Sequence, residues 1–249
     1  MALLRIEDLT CEFGGLIAVN SFSFVLNNGE LASIIGPNGA GKSTLFKALV
    51  GTVSPTSGKI LFKDEDITNI PPHERLKKGI AKAHQIIQIF PKLTVMENVA
   101  IAAQYRLKKG HKWFYLDKWN DEETVSRSEK LLSRIELYDC RDDVAGGLPQ
   151  GDKKRLEIGM VIATDPELLL LDEPTAGSSP AETKVTVNLI RELAKTLTIV
   201  VVEHKMDIVM DLAQRIAVMH RGKLITDGTP EEIKANKLVR EIYLGKTHS

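Results

Sequence analysis

Short apolar runs recur along the chain, and each is bounded by residues that favour turns. Four of them have the length and composition of strands buried on both faces: residues 31–35, 168–171, 198–202 and 216–219. Helical patterns separate these runs. Fully apolar strands joined through helices are typical of a parallel sheet covered on both sides. The pattern therefore predicts an α/β fold built on a largely parallel sheet.

The N-terminal part of the chain has a different pattern. Apolar and polar residues alternate over residues 3–9 and 21–26, and residues 58–62 look like a further strand. Alternation with a period of two is typical of strands that have one buried and one exposed face. We therefore expect an antiparallel β element beside the main sheet.

From about residue 88 to residue 160 the strand pattern gives way to helical periodicity, most clearly in residues 95–106 and 125–136. A chain of 249 residues is long enough for one large domain with a lobe inserted in it. We predict a single domain over residues 1–249. Its α/β core would comprise residues 1–87 and 161–249, and residues 88–160 would form an inserted helical subdomain.

The composition narrows the possible locations and partners. The 33 basic residues balance 33 acidic ones, so no overall field draws the chain to nucleic acid or anionic lipid. Cys11 and Cys140 lack the spacing of a disulfide framework or a zinc site. The sequence shows neither a signal-peptide pattern nor an apolar run of the ~18 residues that would span a bilayer. We expect a cytoplasmic protein with reduced thiols.

The strongest chemical motif lies between a predicted strand and a predicted helix and fits the phosphate-binding P-loop pattern. It consists of Gly36, Pro37, Asn38, Gly39, Ala40, Gly41, Lys42, Ser43 and Thr44. The glycines let successive backbone N–H groups face phosphate oxygens, and the helix adds the positive end of its dipole. Lys42 would bridge the β- and γ-phosphates of ATP, and Ser43 would bind Mg²⁺. A purely structural glycine-rich turn is the alternative.

The second motif is a buried strand that ends in two acidic residues, Asp172 and Glu173. Ligands of parallel sheets bind at the carboxyl ends of the strands. Asp172 would complete the Mg²⁺ shell through water, and Glu173 would polarise the water that attacks the γ-phosphate. An acid pair after a strand is common, so this motif indicates nucleotide chemistry only in combination with the P-loop.

Together the two motifs resemble the ABC ATPase family, and residues 174–177 match the turn that follows the acidic strand in that family. The resemblance covers nearly the whole chain. It implies a RecA-like, mostly parallel sheet with an antiparallel β element and an inserted helical lobe. It also implies that His204, which follows the strand at residues 198–202, is the switch histidine that contacts the γ-phosphate.

The resemblance assigns two further positions. Gln85 falls where the family has a glutamine that ligates Mg²⁺ and senses the transmembrane partner, with Gln88 as the competing candidate. Phe13 matches the aromatic residue that stacks on adenine, and a place in the core is the alternative for this side chain.

One motif departs from the family. Its signature loop usually reads Leu-Ser-Gly-Gly-Gln, and the matching residues here are Leu148, Pro149, Gln150, Gly151 and Asp152. In the family this loop caps the γ-phosphate held by the other ATPase of a head-to-tail pair. Pro149 supplies neither a hydroxyl nor an N–H group, and Asp152 adds an acid. The site that this loop completes is therefore expected to hydrolyse slowly or to need the intact loop of a partner.

Within the family the chain looks most like the larger ATP-binding subunit of branched-chain amino acid importers. The similar parts are residues 104–127, which contain Trp113 and Trp119, residues 203–210 and the tail, residues 228–245. This similarity implies a peripheral protein on the inner face of the cell membrane. Its partners would be transmembrane permeases, a second ATP-binding subunit and, indirectly, an extracytoplasmic substrate-binding protein. Whether the ATPase pair is a homodimer or a heterodimer stays open.

Several alternatives remain. A similar tail occurs in the ATPase of lipopolysaccharide export, so the cargo is not fixed. Basic and aromatic residues at 106–115 suit a permease surface, a lipid headgroup or a solvated face better than nucleic acid, since the chain has no basic excess. Non-transport ABC proteins and weakly hydrolysing regulatory subunits share the nucleotide motifs. A small-molecule P-loop kinase would not explain Gln85 or His204.

Overall fold

The structure is a computed structural model that describes residues 1–83, 87–107 and 122–244. The strands are β1 (Ala2–Phe13), β2 (Leu16–Asn27), β3 (Leu31–Ile35), β4 (Ser57–Phe62), β5 (Glu65–Asp66), β6 (Ile80–Ala83), β7 (Leu168–Asp172), β8 (Thr198–Val202), β9 (Arg215–His220) and β10 (Lys223–Gly228). The helices are α1 (Lys42–Val50), α2 (Pro72–Lys77), α3 (Val95–Leu107), α4 (Glu122–Arg134), α5 (Gln150–Ala163), α6 (Pro180–Ala194), α7 (Met206–Leu212), α8 (Pro230–Ala235) and α9 (Lys237–Leu244). Within these ranges no helix combines the length and apolarity that crossing a bilayer requires.

The main sheet has six strands in the order β10-β9-β3-β8-β7-β6, all parallel except β10. Every residue of β3, β7 and β8 is buried. Side chains of β7 alternate between two apolar cores, so that Leu168 and Leu170 pack on one face and Leu169 and Leu171 on the other. Both faces are covered, and the predicted α/β fold with its largely parallel sheet is confirmed.

The second sheet is antiparallel and has the order β2-β1-β4-β5. It confirms the predicted antiparallel element, although β1 and β2 extend beyond the predicted segments. They do so because Gly14 and Gly15, with φ of 54° and 88°, close a tight hairpin between them. The alternation of β1 breaks at Asp8, where φ is 46° and the pairing with β2 shifts register.

Helices α3, α4 and α5 share an apolar cluster with one face of the main sheet, where Val99, Leu132 and Leu156 are fully buried. These helices lie where the sequence predicts helical periodicity. The predicted boundary after residue 160 falls inside α5, which continues to Ala163. The division into a core and an inserted helical subdomain therefore stays a prediction.

The last described helix packs close to the P-loop segment. Val239 and Tyr243 of α9 belong to the cluster that contains Ile35, the residue before Gly36. Burial raises the pKa of Tyr243 to about 12, and a hydrogen bond with the backbone of Gly36 opposes this effect. The C-terminal helix thus contributes to the support of the loop between β3 and α1.

Candidate functional site

The P-loop residues connect β3 to α1, as the sequence predicts. Gly39 and Gly41 have φ of 80° and 104°, and Gly41 is the N-cap of α1. A Cβ atom at Gly36 would lie 2.2 Å from the carbonyl oxygen of Met219, and one at Gly41 would lie 2.2 Å from that of Ala18. Strands β9 and β2 therefore leave room only for glycine at these two positions. The backbone is held in a tight loop whose N–H groups precede a helix, an arrangement suited to anions.

Lys42 is buried and folds back on its own loop. Its Nζ atom donates to the carbonyl oxygens of Gly36 at 2.6 Å and Pro37 at 3.1 Å. Burial lowers the pKa of Lys42, and the carboxylates of Glu173 and Asp172 oppose this effect. The ammonium group thus lies within electrostatic reach of both acids that the sequence selects. Ser43, next in α1, is exposed to solvent, and Thr44 is partly exposed.

Asp172 ends β7 and is almost fully buried. Its Oδ2 atom accepts a hydrogen bond from Lys82 of β6 at 2.8 Å, in an ion pair whose side chains are 6% and 9% exposed respectively. Its Oδ1 atom is buried and has no hydrogen-bond partner within the part of the chain that the structure describes. A buried carboxylate oxygen without a donor is unusual and suits an external ligand.

Glu173 and His204 meet because β7 and β8 are adjacent parallel strands. Asp172 pairs with Val202, so the residues that follow them leave the sheet side by side. The Nε2 atom of His204 lies 2.8 Å from Oε1 of Glu173, and Glu173 adopts a positive φ of 52°. With Nε2 protonated, the histidine donates to the carboxylate. The two predicted catalytic side chains are therefore in direct contact.

Glu203 also supports this contact, and sequence reasoning missed it. Its Oε1 atom accepts from the backbone N–H of Thr175 at 2.9 Å and from the hydroxyl of Thr175 at 2.7 Å. Its Oε2 atom accepts from the backbone N–H of His204 at 3.1 Å. This buried side chain ties the turn after Glu173 to the residue that carries the imidazole. An acid directly after a buried strand was its only signal in the sequence.

Phe13 lies at the end of β1, beside the hairpin turn, and is 48% exposed. Its ring is therefore not part of the hydrophobic core, which excludes the alternative that Phe13 is a core residue. Strand β2 follows directly and approaches the P-loop, since the carbonyl oxygen of Ala18 lies against Gly41.

Some predicted positions lie outside the described residues. They include Gln85 and the two tryptophans, Trp113 and Trp119. The competing candidate, Gln88, is described and exposed, and its backbone N–H donates to Oε1 of Glu157 at 3.4 Å.

The predicted signature loop leads into α5. Pro149 is the N-cap of this helix, Gln150 is its first residue, and Leu148 is buried. The Oδ1 atom of Asp152 accepts from Nη2 of Arg155 at 2.7 Å, one turn along the helix. Asp152 is therefore paired within α5, and the N-cap residue Pro149 makes no side-chain hydrogen bond to the helix.

Glu182 of α6 reaches the same N-terminus. Its Oε1 atom accepts from the backbone N–H of Gly151 at 3.1 Å, while its Oε2 atom accepts from the backbone N–H of Ser179 at 2.8 Å. Hydrogen bonds from Ser179 and Gly151 lower the pKa of Glu182, so the side chain is ionised. A carboxylate of the chain itself thus occupies the position at which the N-terminus of α5 would receive an anion.

Comparison with known proteins identifies the relatives of the chain. A family model described as ABC transporter matches residues 19–176, and one described as branched-chain amino acid ATP-binding cassette transporter matches residues 223–249. The high-affinity branched-chain amino acid transport ATP-binding protein LivG of Escherichia coli (strain K12) is 39% identical, and BraF of Pseudomonas aeruginosa is 34% identical, each over 98% of both chains. The crystal structure of the ADP conformation of an ATP-binding cassette of an ABC transporter is 34% identical, with a TM-score of 0.87 over 98% of this chain and 99% of that one.

Proposed function

The chain belongs to the ABC transporter family of ATP-binding proteins, and we propose that it is the ATP-hydrolysing subunit of an importer for branched-chain or related amino acids. The family membership confirms the resemblance that the motifs indicate, including the ATPase class. The amino-acid cargo is supported by the names of two relatives and by the match over residues 223–249. This match includes the whole tail noted in the sequence, residues 228–245, and favours amino-acid import over lipopolysaccharide export.

The observation that carries the proposal is the contact between Glu173 and His204 beside the buried ammonium group of Lys42. These side chains come from three separate parts of the chain. Adjacent strands bring their carboxyl ends to one edge of the sheet, where nucleotide chemistry takes place in folds of this class. The contact gives Glu173 a fixed orientation, as a residue that positions water requires.

ATP is the substrate in the proposed mechanism. Backbone N–H groups within residues 38–44 bind its phosphates, Lys42 bridges the β- and γ-phosphates, and Phe13 stacks on adenine. Glu173 accepts a hydrogen bond from the attacking water and aligns it with the γ-phosphorus. His204 holds the carboxylate through Nε2, and the family resemblance assigns the same imidazole a contact with the γ-phosphate once ATP is bound. Lys42 also stabilises the charge that develops on the phosphoryl oxygens.

Mg²⁺ fits the chemistry of the residues at this site. Mg²⁺ prefers oxygen ligands, with one or two from the protein and the rest from phosphates and water. The hydroxyl of Ser43 is at the start of α1, and Oδ1 of Asp172 is a buried acceptor without a donor among the described residues. We propose Ser43, Gln85 and, through water, Asp172 as the groups that hold the ion. When bound, the ion neutralises charge on the transferred phosphate.

The proposed partners follow from the same family. The chain pairs head to tail with a second ATP-binding subunit, which is either another copy or a different chain, and residues 148–152 face the partner's nucleotide. The pair docks on transmembrane permeases at the inner face of the cell membrane, and an extracytoplasmic substrate-binding protein delivers the cargo. Nucleic acid is not among these partners.

Steady-state phosphate release tests the proposal. We would compare the wild type with Glu173→Gln, alone and with co-purifying membrane partners. Because the amide cannot accept the proton, turnover should fall about 10²–10⁴-fold while ATP binding is retained. Turnover by Glu173→Gln at the wild-type rate would exclude Glu173 as the base. ATP binding without turnover by the wild type in both settings would instead indicate a regulatory subunit.

A further inference from the structure

Lys82 is a largely buried cation that neither the motifs nor the family resemblance selects. It lies on β6, the edge strand that pairs in parallel with β7, with Lys82 opposite Leu170. Its side chain is 9% exposed, and its Nζ atom donates to Oδ2 of Asp172 at 2.8 Å. Removing two charged groups from water is unfavourable and can cancel their mutual attraction, so such a pair is weak evidence for a purely stabilising role.

A second contact fixes the ammonium group from the other side. The Nζ atom of Lys82 lies 5.6 Å from the centroid of the Phe46 ring, within the range of a cation–π interaction. Phe46 is fully buried in α1, the helix that begins with Lys42. Lys82 therefore joins the strand that carries Asp172 to the helix that follows the P-loop.

The two oxygens of Asp172 have different surroundings. Oδ2 receives the hydrogen bond from Lys82, whereas Oδ1 is buried and has no donor among the described residues. A carboxylate with one oxygen anchored cannot rotate freely about its Cβ–Cγ bond. The second oxygen, Oδ1, is therefore held in one orientation.

We propose that Lys82 is a positioning residue of the nucleotide site, which anchors one oxygen of Asp172 so that the other accepts a hydrogen bond from water bound to Mg²⁺. This inference rests on the proposed function, because it assumes the metal role of Asp172. It assigns Lys82 to metal binding through Asp172, without a contact of its own to nucleotide.

Two effects of Lys82 on the ion oppose each other. Its positive charge repels Mg²⁺, and its hydrogen bond orders the carboxylate that attracts Mg²⁺. Partners that orient a metal ligand typically contribute about 10–100-fold in metal affinity. Because the ammonium charge is already compensated by Asp172 and by the Phe46 ring, the orienting effect is the larger one.

The test measures ADP affinity of the full chain by calorimetry, first in EDTA and then at rising Mg²⁺. Lys82→Met removes the donor and keeps a side chain of similar length against Phe46, and Lys82→Arg keeps both donor and charge. For Lys82→Met we expect the Mg²⁺ concentration at half-saturation to rise about tenfold, with ADP affinity in EDTA unchanged. Lys82→Arg should restore most of the loss.

A matched control is available in Lys63→Met. Lys63 also pairs with a carboxylate, that of Glu167 at 2.5 Å, and its Nζ atom lies 5.7 Å from the ring of Phe62, but it is exposed. This variant should leave Mg²⁺ half-saturation unchanged. Thermal melting of all variants detects any loss of folding.

Three results would overturn the inference. The first is that Lys82→Met keeps the wild-type Mg²⁺ dependence or binds Mg²⁺ more tightly. The second is that the ADP affinity of Lys82→Met in EDTA falls by the same factor, which would indicate a purely structural ion pair. The third is that Lys82→Arg loses as much Mg²⁺ affinity as Lys82→Met.

The metal role itself is tested by Asp172→Asn. If the wild type gains no ADP affinity from Mg²⁺, or Asp172→Asn keeps that gain, the proposed metal site is wrong and the inference fails with it.

Discussion

Two regions of the chain that serve nucleotide in the family differ sharply here. In the first, which comprises the P-loop and the ends of β7 and β8, Lys42, Glu173 and His204 match the family's motifs, and the last two side chains are in contact. In the second, which is the start of α5, the polar groups are engaged within the chain: Asp152 pairs with Arg155, and the N–H of Gly151 binds Glu182. We therefore expect the chain to process its own nucleotide and to complete a partner's site poorly.

The difference lies in charge as well as in sequence. The first region offers a buried cation and the N–H groups at the start of α1 to an anion. The second region already holds an anionic side chain at the start of α5, and Pro149 removes an N–H and a hydroxyl from the position that the family uses. If this comparison is right, substitutions in the two regions have effects of different size and sign.

The largest expected effect is that of Lys42→Ala. Losing a cation that binds phosphate and stabilises transition-state charge should lower turnover about 10²–10³-fold and weaken ATP binding. Phosphate release measures the turnover, and a nucleotide-binding isotherm measures the affinity for ATP. Lys153→Ala is the matched control, because Lys153 is a partly exposed lysine beside the altered loop. Equal losses of turnover in Lys42→Ala and Lys153→Ala would contradict the expected difference between the two regions.

A smaller effect, of opposite sign, is expected for Pro149→Ser. Serine restores the hydroxyl and N–H at the start of α5, and a hydrogen bond to a charged group contributes about 1.5–3 kcal/mol. Turnover of the assembled transporter should therefore rise about tenfold or more. The measurement is phosphate release with membrane partners present.

Pro149→Ala separates the two restored groups, since alanine supplies the N–H without the hydroxyl. It should recover only part of the gain. The comparison would lose its support if turnover stayed at the wild-type level in Pro149→Ser, because the departure from the family pattern would then have no consequence for hydrolysis.

The sequence predicted the first region well for a physical reason. Residues 36–44 form one contiguous motif, and the acids at 172 and 173 form another. Each motif follows a fully buried, mainly apolar strand, so local pattern alone locates both at the carboxyl ends of the strands. The order of strands in the sheet confirms the fold that these motifs imply. The individual roles of the site residues, and the limits of the helical subdomain, stay predictions.

Other contacts could not be predicted because they depend on which strands and helices become neighbours. Lys82 and Asp172 are 90 positions apart in the chain and meet only because β6 pairs with β7. Gly151 and Glu182 are 31 positions apart, and the start of α6 reaches the start of α5 through a capping box that looks ordinary in sequence. Pairing of distant elements carries no signal in a single sequence.

The smallest expected effect is a pH-dependent change in stability at Glu182. Its hydrogen bonds with Ser179 and Gly151 lower its pKa below the ordinary value of 4.5, which applies to the unfolded chain. A lowered pKa in the folded state means that the carboxylate stabilises the protein above the unfolded pKa, and that this contribution disappears as the pH falls through the folded pKa. Glu182→Gln should therefore be less stable than the wild type at neutral pH.

Denaturant unfolding of the wild type and Glu182→Gln between pH 7 and pH 3 measures this difference. The gap in unfolding free energy should be constant above about pH 5 and should narrow as the pH falls below 4.5. Glu232→Gln is the matched control, because Glu232 closes the equivalent capping box of α8 with Thr229 and, within the described residues, accepts no hydrogen bond from α5. If Glu182→Gln also raises turnover of the assembled transporter and Glu232→Gln does not, the carboxylate at the start of α5 competes with the partner's phosphate. An unchanged turnover in Glu182→Gln would instead assign the weakness of this region to Pro149 alone.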